Sequence, residues 1–288
     1  MTCIQARGLR KRFGSKVALD GIDFQVDGGR ILGLIGPNGA GKSTALQALL
    51  GFVDCEGSLS VLGLDPRRER ARLMQNVSFV ADVAVLPRWM RVSQLLDYVA
   101  GVHPGFSRSK AEAFLGVNGL PRTSKVGALS KGLVTQLHLA VALAIDAKLL
   151  VLDEPTLGLD LLVRKRFYDS LLEEYLDHRK TILISTHQVD EIQDILTDFV
   201  FLDEGRVVLA SSMEELESRY VQLMVRPEHL DAARALAPLQ ERLMFGRHLL
   251  LFENVSRERL EAWGEVHTPS IADLFLAHMA RRAEEVPV

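Results

Sequence analysis

The run Gly36-Pro37-Asn38-Gly39-Ala40-Gly41-Lys42-Ser43 places glycines, a lysine and a hydroxyl at the spacing of a loop that cradles phosphate. Glycines let backbone N–H groups close around phosphate oxygens, and the helix expected from Thr44 to Leu50 adds positive potential at its N-terminus. Lys42 reaches the outer phosphates, Ser43 offers its hydroxyl to magnesium, and Thr44 extends the same cradle. A strand expected over Arg30 to Ile35 precedes the loop. The order strand, loop, helix separates this run from a chance glycine-rich turn.

Leu149-Leu150-Val151-Leu152 reads as a buried strand that delivers Asp153 and Glu154 at its carboxyl end, where open parallel sheets place ligands. Asp153 suits the magnesium shell. Glu154, expected to point the other way because strand side chains alternate, suits polarising the water that attacks the terminal phosphate. The strand Thr181 to Ser185 runs into Thr186-His187, so His187 is a further candidate for contact with the terminal phosphate and that water, set against a purely structural histidine. Ser130 reads as the N-cap of an apolar helix from Leu133 to Ala144. That helix start is a second anion site, suited to a phosphate other than the one held by Lys42.

Positioning these groups requires a frame of alternating strands and helices. Besides the strands above, Val77 to Ala81 and Phe199 to Leu202 are short apolar runs of the buried-strand kind. The expected fold is α/β: a phosphate-loop core with a mainly parallel sheet and an antiparallel β portion. Strands stop between about residues 87 and 127, where Val92 to Val99 and Ser109 to Leu115 show helical periodicity and make a helical insert. Residues 1–210 form this main domain. Residues 211–288 form a small α+β appendage, with helices at Met213–Arg219, Glu228–Leu236 and Arg257–Trp263 and strands at Val221–Val225 and His248–Phe252. Ser270 is expected to cap a last helix burying Ile271, Leu274, Phe275 and Met279.

Composition narrows the function classes. A net charge of −3 gives no field that favours nucleic acid, which is not an expected partner. Cys3 and Cys55 lack metal-ligand spacing and read as reduced cytosolic thiols. The N-terminus lacks the apolar stretch of a signal peptide, and the longest apolar run, Leu137 to Leu152, is interrupted by His138, Asp146 and Lys148. The chain is expected to be soluble by itself, with any membrane role carried through another chain.

Taken in order, Phe13, the phosphate loop, Leu129-Ser130-Lys131-Gly132, Leu149 to Glu154, Gly158-Leu159-Asp160 and His187 resemble the nucleotide-binding domain of ABC transporters over about 200 residues. The resemblance implies ATP and Mg2+ as ligands. It also implies a head-to-tail homodimer, in which two ATP molecules lie between the loop of one copy and Ser130 to Gly132 of the other. By the same resemblance Phe13 stacks on adenine, Asp160 lines the dimer seam, and a transmembrane permease subunit holds the protein peripherally on the cytoplasmic face of the membrane. Leu152 to Asp160 and the short C-terminal appendage are most similar to exporters that carry ATPase and membrane parts on separate chains. The competing readings are an importer ATPase, a soluble ABC ATPase acting on the ribosome or DNA, and a small-molecule kinase, which would need neither Ser130 to Gly132 nor a dimer.

The chain departs from the family pattern at two places. Lys131 and Leu133 replace the third and fifth residues of the usual Leu-Ser-Gly-Gly-Gln signature, and Asp82 stands where these domains normally carry glutamine. An aspartate oxygen can still approach magnesium, but its stem is shorter and its charge opposes the phosphates. Beyond it, Val83 to Met90 is an apolar loop with two readings: a seat for a membrane subunit's helix, or filling of the insert's core by Trp89 and Met90.

Overall fold

In the computed structural model, which describes residues 2–82, 86–117, 119–175 and 180–285, the chain opens with strands of period two. β1 (Thr2–Phe13) buries Ile4, Ala6 and Leu9 while exposing Arg10 and Arg12, and β2 (Lys16–Asp27) buries Leu19, Ile22, Phe24 and Val26. They pair antiparallel, and β1 takes a later strand on its other edge. β3 (Ile31–Ile35) is buried at every position, leads through the phosphate loop to α1 (Lys42–Leu49), and is followed by β4 (Glu56–Val61), the third member of the antiparallel sheet β2-β1-β4. This sheet is the expected antiparallel portion.

α2 (Pro66–Met74) leads to β5 (Val77–Val80), after which come α3 (Val92–Val102), α4 (Arg108–Val117) and α5 (Lys131–Leu143). α3 and α4, which fall within the stretch 87–127 expected to be helical, bury Val92, Leu96, Ala111 and Leu115 in a cluster with Leu137 and Val141 of α5. Leu86 and Met90 pack against that cluster, whereas Trp89 is exposed, so of the two residues expected to fill the insert's core only Met90 does so. Val83, Ala84 and Val85 lie outside the described residues.

β6 (Leu149–Asp153), α6 (Leu161–Tyr175) and β7 (Thr181–Thr186) complete the first set of elements. β5, β6, β7 and β3 are neighbours in that order, all parallel, with Val77 opposite Leu149, Leu149 opposite Thr181 and Ile31 opposite Ile182. Near-continuous apolar runs suit strands covered on both faces. The six-stranded order β5-β6-β7-β3-β8-β9 adds β8 (Asp198–Asp203) and β9 (Arg206–Ser212).

The chain forms two compact units, residues 1–187 with 202–207, and residues 188–201 with 208–288. In the second, α7 (Met213–Arg219), β10 (Tyr220–Val225), α8 (Leu230–Arg234), β11 (Gln240–Met244), β12 (Arg247–Glu253), α9 (Arg257–Glu261), β13 (Gly264–His267) and α10 (Ile271–Glu285) follow one another. Its antiparallel sheet, β11-β12-β10-β13, buries Val221, Leu223, Leu250 and Phe252 against Ala233 and Leu260. The Ser270 hydroxyl accepts the Asp273 N–H at 3.0 Å and caps α10, which buries Ile271, Leu274 and Ala277, with Phe275 and Met279 only half-buried.

Several boundaries differ from expectation for local reasons. α1 begins at Lys42 instead of Thr44, because Gly41 in the left-handed region ends the loop and releases the helix there. α5 begins at Lys131 instead of Leu133, because Ser130 Oγ accepts the Leu133 N–H at 3.3 Å and a capping bond of that kind reaches the third helical residue. The helix expected over Glu228–Leu236 contracts to α8 behind a short 3-10 turn at Pro227–His229. No helix among the described residues is long and apolar enough to cross a membrane.

Candidate nucleotide site

Two glycines of the loop are required by space. A Cβ on Gly36 would lie 2.1 Å from the carbonyl oxygen of Leu202, and one on Gly41, at φ +105, would lie 2.5 Å from that of Ala18. Neither position admits any other residue without moving backbone. Lys42 is buried, and its ammonium donates to the carbonyls of Gly36 (2.7 Å) and Pro37 (3.2 Å) while lying 3.3 Å from Glu154 Oε1.

β6 ends on Asp153, whose buried carboxylate accepts hydroxyl bonds from Ser185 and Ser43. Burial raises its pKa, the two hydroxyls oppose that, and the charges of Asp82 and Glu154 push it further up. Glu154 does not continue the strand alternation that the sequence led us to expect. Its backbone is left-handed, φ +47, and its N–H donates to the Ser185 carbonyl (3.1 Å) and hydroxyl (3.2 Å). A non-glycine residue in that region carries local strain. This turn brings Glu154 Oε1 to 3.0 Å from His187 Nδ1 as well as to Lys42.

Phe13, Lys16, Asn38, Gly39, Gly41, Lys42, Ser43, Thr44, Asp82 and Glu154 line one cleft of about 230 Å³. Phe13 is 49% exposed at its lip, with the Lys11 ammonium 5.0 Å from the ring centroid. Ser130, Gly132 and Asp160 are not among its lining residues. They gather elsewhere on the same unit: a Cβ on Gly132 would be 3.9 Å from the Gly158 carbonyl, and Asp160 Oδ1 accepts the Val163 N–H at 3.0 Å, starting α6. Sequence reasoning missed Ser185, which ties Asp153 to Glu154. Its only signal was a polar pair, Ser185-Thr186, closing an apolar strand.

A parallel sheet ending in a glycine loop, a buried lysine and paired carboxylates defines a phosphate-loop nucleoside triphosphatase. The ABC transporter family model matches residues 19–157. The Nod factor export ATP-binding protein I of Burkholderia lata is 38% identical over 71% of this chain and 69% of its own length. The protein of the same name from Rhizobium sp. is 30% identical over 98% of each. A bacterial ABC transporter cassette solved as a dimer superposes with a TM-score of 0.65 at 20% identity, over 73% of this chain and 98% of its own. The chain belongs to the ABC transporter family: it is an ATP-binding subunit of the kind that hydrolyses ATP to drive transport.

Proposed function

We propose that this subunit powers an exporter whose membrane path is a separate permease chain, and that it works as a pair of copies on the cytoplasmic face of the membrane. Residues 1–210 serve as the ATPase module, and residues 211–288 as the appendage. The relatives reported above are named for export, which supports that direction. The observation that carries the mechanism is the Glu154 carboxylate, held between Lys42 and His187 at the end of the catalytic strand.

In this reading Phe13 stacks on adenine, residues 36–44 wrap the phosphates with backbone N–H groups, and Lys42 turns its ammonium to the outer phosphates. Glu154 takes the proton of the attacking water, and His187 orients both water and terminal phosphate. The oxygens of Ser43 and Asp153 are already hydrogen-bonded to each other and are hard donors of the kind magnesium takes. Among the described residues no group of three or more carboxylate, histidine or cysteine side chains forms a metal cage. Magnesium held partly by substrate phosphates needs none. Ser43 and Asp153 would hold it, with Asp82 beside them, and when bound it neutralises phosphate charge.

Ser130, Gly132 and Asp160 act in trans. Their absence from the cleft of their own chain and their grouping around Gly158 support a role toward the nucleotide of a second copy. ATP then joins two copies, and hydrolysis removes the contact that joins them. The test is sedimentation of the Glu154→Gln protein with ATP and magnesium, alone and with the co-purified membrane chain. A pair is expected. A monomer in both samples would remove this reading.

A further inference from the structure

Away from the nucleotide cleft, α4, α5 and α6 line a second cavity, of about 420 Å³. α4 turns Lys110, Ala113, Phe114 and Val117 toward it, a single stripe at helical spacing. Ala111 and Leu115, on a separate stripe of the same helix, are buried in the cluster shared with α5. α4 is therefore apolar over more of its circumference than that packing uses, and Val117 is left 72% exposed. α5 adds Ala140, Leu143 and Ala144, again spaced by three and four. The short side chains at 113, 140 and 144 leave the space between the helices open. α6 supplies the polar rim with Arg166, Ser170 and Glu173, a stripe beside the buried Phe167 and Leu171.

An apolar floor with a few polar groups at its edge, set between helices, is the usual form of a small-molecule site, and about 300–1,000 Å³ is the usual size. The rim sets the charge of the ligand. Lys110 and Arg166 bring two positive charges against the single negative charge of Glu173, an excess that one anionic group offsets. The Arg166 side chain is exposed and makes no hydrogen bond or ion pair with another described residue. Its planar fork matches the two oxygens of a carboxylate. Ser170, one turn further along α6, places a hydroxyl beside it. A doubly charged phosphate would leave a surplus of negative charge next to Glu173, so a monocarboxylate is the better match.

We propose that this cavity binds a small amphipathic monocarboxylate, with its apolar body along Ala113, Ala140 and Ala144 and its carboxylate on Arg166 and Ser170. The cavity shares no lining residue with the nucleotide cleft. Its ligand therefore binds alongside ATP, and the proposal depends on neither the dimer nor the export reading.

The experiment titrates the full-length protein with octanoate and, separately, with 1-octanol, by calorimetry at neutral pH. One octanoate per chain is expected, with a Kd of about 1 mM or tighter, a modest affinity for a ligand of that size. Octanol, which has the same chain without the charge, should bind about tenfold more weakly or worse. Arg166→Gln should weaken octanoate by about tenfold and leave octanol within about twofold. Ala113→Trp puts a large ring into the cavity from an exposed helical position and should abolish saturable binding of both. ATP binding should stay within about twofold in both variants, and an unchanged Tm verifies the fold. Octanoate that does not saturate the parent up to about ten times the expected Kd would overturn the proposal. So would equal affinity for octanol and octanoate, which would make the cavity a seat for a neutral ligand or for a partner's apolar side chain. Octanoate binding unchanged in Arg166→Gln would overturn it as well, by placing the carboxylate elsewhere.

Discussion

Glu154 Oε1 lies 3.0 Å from His187 Nδ1, although the two residues directly follow different strands, β6 and β7. Their strands are adjacent and parallel, with Asp153 opposite Ser185, so the carboxyl ends bring both side chains to one edge. Lys42 reaches the same oxygen from the first turn of α1. Three separate segments therefore meet at one carboxylate, and the parallel sheet is what makes them meet.

The first prediction concerns that carboxylate. Glu154→Gln keeps the shape and removes the base, so turnover should fall by about 100-fold or more, the usual scale for general base catalysis. ATP affinity should stay within about threefold, because the loop and Lys42 are untouched. Phosphate release and nucleotide binding, measured on the same preparation, separate the two effects. Retained turnover would take Glu154 out of the water-activating role.

Lys42→Ala removes a buried ammonium that donates to the Gly36 and Pro37 carbonyls and faces Glu154. Charge-assisted contacts to phosphate are worth about 1.5–3 kcal/mol each, so ATP binding should weaken by about tenfold to a hundredfold and turnover should vanish. Folding should suffer less, because the lost partners are loop carbonyls. Equilibrium nucleotide binding and Tm together decide this. A variant that binds ATP like the parent would show that the loop does not use its lysine.

The chemistry was more legible in the sequence than its geometry. Fixed spacing made the phosphate loop readable, and buried runs made β3, β6 and β7 readable, because complete burial leaves no polar interruptions. β11 and β13 were not found, since each is an edge strand with alternately exposed polar residues such as Glu241 and Glu265. The turn at Glu154 could not be read either. Its left-handed backbone depends on bonds to Ser185, which is 31 residues away in the chain. Non-local hydrogen bonds leave no periodic trace.

Asp82 carries the family departure that bears most directly on the cleft. It lines the cleft with Ser43 and Glu154, and its charge is one of the influences that raise the pKa of Asp153. Asp82→Gln removes that repulsion and restores the family's side chain. The rate of ATP turnover, or its coupling to transport, should change by more than the affinity for ATP does. Steady-state kinetics of both forms, with transport in the reconstituted complex, tests this. Equal kinetics and equal transport would make the departure silent.

The last prediction is a pH dependence of stability that originates away from the cleft. Burial lowers the pKa of His138 from its ordinary 6.5, and its Nδ1 is buried without a hydrogen-bond partner. The folded chain therefore keeps this imidazole neutral where the unfolded chain protonates it. Below 6.5 the unfolded state binds the additional proton, so stability falls as pH drops through the window between 6.5 and the lower folded value. Above 6.5 this contribution is flat, because both states are neutral. His138→Leu removes the titration and leaves no unpaired nitrogen, so it should be no less stable than the parent at neutral pH and should lose less stability on acidification. His278, whose pKa burial also lowers, keeps part of the slope in both proteins. Urea unfolding of both proteins at neutral pH and below pH 6 measures the difference. Parallel losses in the two proteins would show that His138 is protonated equally in the folded and unfolded chains.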